Sequence, residues 1–153
     1  MTAKEYLSQV RFIDRLINSK LEQLACLKDT ATKATATISD MPRSDSPDLQ
    51  SMETTVVKMI DMEREIDAEI DKLVDLKREI RDVIQKIHTP RYRALLEMRY
   101  LSFMTWEEIA ESLECEPRSI YRAHYRALCA VESVCREVGI ALECEQEKAS
   151  SGL

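Results

Sequence analysis

The sequence predicts an all-α protein, a long antiparallel helical hairpin followed by a helix-turn-helix, and three observations lead there. Two glycines and four prolines in 153 residues leave little material for turns. Apolar residues recur at alternating steps of three and four along two long stretches, the signature of a coiled coil. A third stretch, TWEEIAESLECEPRSIYRAHYRAL from Thr105 to Leu128, sets a capped helix start and a proline-led second helix on either side of a tight turn. Charged residues at 33% and apolar residues at 44% are the mix of amphipathic helices, too apolar for a disordered chain.

Taken in order, Thr2 and Glu5 open the chain with a threonine-x-x-glutamate capping box, so no signal peptide is expected. No apolar run reaches membrane-spanning length, which predicts a cytoplasmic protein with no membrane partner. The first seam runs through Tyr6, Val10, Ile13, Ile17, Leu24, Leu27, Ala31, Ala34 and Ile38, broken by Lys20. After a turn at 39–48, with Ser46 as cap and Pro47 at the first helical position, the stepping resumes. It passes Leu49, Met52, Val56, Met59, Ile66, Ile70, Leu73, Ile80, Ile84 and Ile87, interrupted by Glu63 and Lys77.

In an antiparallel hairpin the position numbers of facing residues add to a constant. Ile38 opposite Leu49, Ala34 opposite Met52, Leu27 opposite Met59 and Ile17 opposite Ile70 all add to 86 or 87. That register puts Lys20 and Glu63 in adjacent layers, where a partly buried ion pair would fix register more than it stabilises. Phe12, Leu16 and Leu21 exceed what one seam needs. The excess is expected to cover the protein's own helices, a second copy in a homodimer, or another partner. Ile84 and Ile87 outrun the first helix and are expected to dock on a helix starting at Pro90, with Thr89 as its cap. The domains are therefore expected at 1–88, 89–139 and, after a helix stop at Gly139, an acidic, frayed tail at 140–153.

Within the third stretch, Thr105 and Glu108 form a second capping box, and Ile109, Ala110 and Leu113 face inward. Glu114 to Glu116 make the turn. On the second helix Ile120, Ala123 or His124, and Ala127 face the first. Arg118, Arg122 and Arg126 then fall on one stripe that begins at the helix N-terminus, the end that enters a major groove. Guanidinium groups there suit phosphates or the acceptor edge of guanine. Residues 1–88 carry 14 basic and 17 acidic groups, whereas 117–138 carries four basic and two, so the second helix is a basic island in a chain of net charge −6. Such a chain should bind double-stranded DNA weakly by itself and with strong salt dependence.

Catalysis finds no support: there is no glycine-rich phosphate loop and no nucleophile context, so no enzyme and no cofactor are expected. Cys26, Cys115, Cys129, Cys135 and Cys144 are scattered without metal-ligand spacing and read as reduced residues. His124 reads as a packing residue.

Thr89 to Leu128 resembles region 4 of bacterial sigma factors. Pro90 opens a helix, LLEMRYL (Leu95 to Leu101) is similar to that family's leucine-x-arginine-tyrosine segment, and TWEEIAESL continues the match. With the long helical part before it, the chain is similar to phage-encoded sigma-70 region-4-like transcriptional regulators of the ArpU and RinA type. The resemblance implies base contacts by Pro117, Arg118, Tyr121 and Arg122, with Ser119 and Arg126 on the same helix, and phosphate contacts by Thr105 and Arg99. It implies a prophage or phage late-gene regulator that also touches RNA polymerase. Two departures matter: Glu114 stands where the turn usually has glycine, which implies a left-handed backbone there. Arg118 stands where housekeeping sigma factors carry glutamate, which implies a different DNA element. The rival expectations are a DNA-packaging protein like a phage terminase small subunit, and an adaptor that occupies RNA polymerase without reading bases.

Overall fold

In a computed structural model, residues 1–38 and 47–143 are described, with the backbone alone for 34–38 and 47–49. The turn expected at 39–48 and the tail from Cys144 onward lie, but for Pro47 and Asp48, outside the described residues. The described chain is all-helical: α1 Ala3–Ile38, α2 Pro47–Gln85, α3 Pro90–Leu96, a π-helical segment Glu97–Leu101, α4 Trp106–Ser112 and α5 Pro117–Val138. No helix among the described residues is long and apolar enough to cross a membrane. The chain forms two compact units, Ile13–Leu73 and the combination of Met1–Phe12 with Val74–Leu153. The division falls inside α1 and α2 rather than at His88.

In the Ile13–Leu73 unit, Ile17, Leu24 and Ile66 are buried, and ion pairs tie α1 to α2. The buried or half-buried positions of α2 here are Met52, Thr55, Met59, Met62, Ile66, Glu69 and Leu73. Val56, Glu63 and Ile70, expected in the seam, are exposed. Steps of three and four fix the period of a stripe but leave its phase open by about one residue, roughly 100° of helix. The observed stripe turns toward Thr55, Met62 and Glu69. Lys20 accordingly pairs with Glu69 and Glu65, at 3.9 Å each, and not with Glu63, which meets Lys28 at 3.5 Å. The Lys20 and Glu69 side chains are 21% and 17% exposed, so the partly buried ion pair exists with a different acid.

The other unit is built on a closed apolar core. Leu7 and Val10 of α1, Ile80 and Ile84 of α2, Leu95 and Leu96 of α3, Ile109 of α4, and Ile120, Val131 and Cys135 of α5 are fully enclosed. Ile87 is buried too, as its position past the first seam requires. The Thr2–Glu5 capping box forms with bonds of 2.8 and 3.3 Å. Thr89 sits at the N-cap of α3, but its side chain makes no cap bond; its carbonyl accepts from the amides of Tyr92 and Arg93 instead. Tyr6 donates its hydroxyl to Glu79 at 2.6 Å, and burial first, then that carboxylate, pushes the phenol pKa up. Gly139, at φ 83°, ends α5 in the left-handed conformation, and Ile140 N–H bonds back to the Cys135 carbonyl. Residues just past that stop are held: Glu143 N–H donates to the Met1 carbonyl beside a bridge between Thr2 and Glu143. Phe12 is 72% exposed, so it does not cover the protein's own helices.

Candidate nucleic-acid interface

The element that presents the site is α5, and what holds it is its contact with α3 and α4. The Thr105 capping box forms in full: Glu108 N–H donates to Thr105 Oγ1 at 3.3 Å and Thr105 N–H to Glu108 Oε2 at 2.8 Å. After α4 the backbone reverses at Glu114, whose φ of 52° is the left-handed value that the turn demands and glycine would adopt freely. Cys115 N–H then bonds to the Ala110 carbonyl at 3.0 Å, and Pro117 starts α5. Ile120, Ala123, His124 and Ala127 are buried, as their spacing predicts.

His124 is the polar member of this packing. Its Nε2 lies 2.7 Å from the Tyr100 hydroxyl and its ring meets Trp106 edge-on at 4.7 Å. Burial above all, then the positive charges of Lys4 and Arg99, lower its pKa from 6.5 to about 4, so at neutral pH it is an uncharged core group. Trp106 also backs Tyr121 at 5.4 Å between ring centres. The base of the exposed aromatic on α5 is thus anchored to α4.

Opposite this buried face, Arg118, Ser119, Tyr121, Arg122 and Arg126 are exposed along α5, with Pro117 at its start. Arg118, Arg122 and Arg126 have no ion-pair partner among the described residues. Ser119, Arg122 and Arg126 also line an open cleft of about 330 Å³ together with Thr89, Arg91, Tyr92 and Ala123. Three guanidinium groups and the hydroxyls of Thr89, Tyr92 and Ser119 thus surround one space, a donor-rich setting for an oxyanion. Arg91, Thr89 and Tyr92 are absent from the sequence-based set. Arg91 lies beside the proline that opens α3, and its charge alone carries no sign that α5 comes close.

The two remaining sequence-based residues are occupied within the fold. Arg99 donates to the Met104 carbonyl at 3.0 Å and lies over the Trp106 ring at 4.3 Å, half-buried; desolvation and the charge of Arg11 lower its pKa. The Thr105 hydroxyl is exposed but serves the capping box. Exposed carboxylates at Glu107, Glu108, Glu111, Glu114 and Glu116 line α4 and the turn, which carry no cation.

A family model described as a protein of unknown function (DUF1492) matches residues 48–132, more than half of the chain, and the chain belongs to that family. No curated protein and no solved structure matches it.

Proposed function

We propose that this member of the DUF1492 family is a non-catalytic, sequence-specific DNA-binding regulator of transcription. In this reading α4, the turn at Glu114 and α5 act as a helix-turn-helix, with α5 as the helix that enters the major groove. The observation that carries it is the set of unpaired, exposed arginines on α5, Arg118, Arg122 and Arg126, two of which share the cleft with Arg91. Arg118, Tyr121 and Arg122 read bases, while Arg126 and Arg91 hold phosphate and set the register of the helix on the duplex. The resemblance to sigma region 4 extends the proposal to phage or prophage promoters and to a contact with RNA polymerase. α1 and α2, as an antiparallel coiled-coil hairpin, would supply the homodimer or polymerase contact.

A second reading, an RNA-polymerase adaptor that does not read bases, is favoured by exposed apolar side chains such as Phe12, Leu21 and Ile60. Selection of the purified protein on random duplexes at two salt concentrations, with Arg118→Ala plus Arg122→Ala alongside, separates the two. Sequence reading predicts one enriched motif that the double variant loses. Salt-sensitive binding equal in both proteins, with no motif, favours the adaptor.

A further inference from the structure

The charge of α2 changes sign along its length. Between Asp61 and Asp75 it carries seven acidic and two basic residues; from Lys77 to Arg93, through the joint into α3, the chain carries six basic and two acidic ones. The basic excess of this second run, +4, is twice that of α5. Arg78, Arg81, Lys86 and Arg91 are exposed, and none has an ion-pair partner among the described residues. Of the two acids, Glu79 accepts the Tyr6 hydroxyl, which leaves Asp82. Arg78 and Arg81 stand one turn apart on α2, outside the stripe of the enclosed Ile80 and Ile84.

We infer that this end of α2 is a second DNA-contact surface, which holds the phosphate backbone of the duplex flanking the element bound by α5. The inference rests on the DNA-binding reading above and adds to it a surface that reads no bases. Arg91 belongs to both: it lines the cleft with Arg122 and Arg126, and it is part of the basic run that starts on α2. Arg78 and Arg81 are about 4.5 Å apart along the helix axis, and Lys86 follows directly after the end of α2 at Gln85. Asp82 stands four residues from both Arg78 and Lys86 and pairs with neither among the described residues.

The test is the binding of the full-length chain to a duplex carrying the selected motif and to a scrambled duplex, across a salt series. The wild type is compared with Arg78→Ala plus Arg81→Ala, with Arg78→Lys plus Arg81→Lys, and with Arg118→Ala plus Arg122→Ala. Each phosphate contact contributes about 0.9 to the slope of log K against log salt, so the α2 alanine variant should lower that slope by about two. Its affinity should fall on the order of tenfold for both duplexes alike, with the preference for the motif kept and helicity and melting unchanged. The lysine variant should keep most of the slope. An α2 alanine variant with wild-type slope and affinity, beside an α5 variant that loses the motif, overturns this inference and leaves the DNA-binding reading standing. Loss of motif preference in the α2 variant overturns it as well, because a backbone contact carries no sequence. A wild-type chain that binds neither duplex removes the DNA-binding reading and this surface with it.

Discussion

The Ile13–Leu73 unit and the unit formed by Met1–Phe12 with Val74–Leu153 are both helical, yet they balance their charges differently. In the first, which carries eight basic and thirteen acidic residues, Lys20, Lys28, Lys33 and Lys72 are tied to carboxylates, while Arg15, Lys58 and Arg64 are exposed with no ion-pair partner among the described residues. In the second, fourteen basic residues nearly balance fifteen acidic ones, and Arg78, Arg81, Arg91, Arg118, Arg122 and Arg126 have no ion-pair partner among the described residues. Cores differ in the same direction. Every fully enclosed side chain among the described residues belongs to the second unit, while the first buries Ile17, Leu24 and Ile66. A paired lysine on a helix surface supports the helix, whereas an exposed arginine without an ion-pair partner adds little to it. Net charge alone hides this, since the two units add to −6.

The comparison breaks most readily at the cores. Leu96→Ala, in the enclosed core, should cost about 4 kcal/mol in urea unfolding, and Ile66→Ala, in the other unit, about 2 kcal/mol; equal costs would erase the distinction. Acid acts next. His124 is neutral in the fold with a pKa of about 4 against 6.5 unfolded, so the unfolded chain binds the extra proton. Stability should therefore fall as pH drops from about 6.5 toward 4, and His124→Gln should flatten the profile of unfolding free energy in that window. Tyr100→Phe, which strips His124 of its hydroxyl partner, should cost about 1 to 2 kcal/mol at pH 7. Glu114→Gly relieves the left-handed turn and should raise stability by about 1 kcal/mol, seen as a shift of the melting temperature. The smallest effect is expected where charges are already paired. Lys20→Met with Glu69→Met should leave stability within about 1 kcal/mol of the wild type.

Much of the enclosed unit was legible because its signals are local. Both capping boxes, the stop at Gly139 and the inward face Ile120, Ala123, His124 and Ala127 are set by residues within a turn or two of each other, whereas the left-handed Glu114 follows only from the resemblance. What was not legible depends on distant partners. The α2 stripe passes through Thr55, Met62 and Glu69 instead of Val56, Glu63 and Ile70, although the latter set is the more apolar, and the ion pair of Glu69 with Lys20 of the facing helix belongs to the observed phase. Arg99 looked available for phosphate, but Trp106 and the Met104 carbonyl hold it, and Phe103 beside them takes a left-handed φ of 58° that no glycine announces. The cleft needed the approach of Arg91 to α5, which no spacing encodes.

The π-helical segment carries a consequence of its own. Ser102 N–H bonds to the Glu97 carbonyl at 2.9 Å, five residues back, so this turn contains one residue more than an α-helix would use. In hereditary terms it has the form of a one-codon insertion that the helix absorbed without breaking. Deleting a single residue between Glu97 and Leu101 would restore ordinary winding and swing everything on one side of the deletion by about 100° relative to the other. Tyr100 would then leave His124, whose ring also meets Trp106. Length, at this point in the chain, is fixed by geometry as firmly as any side chain.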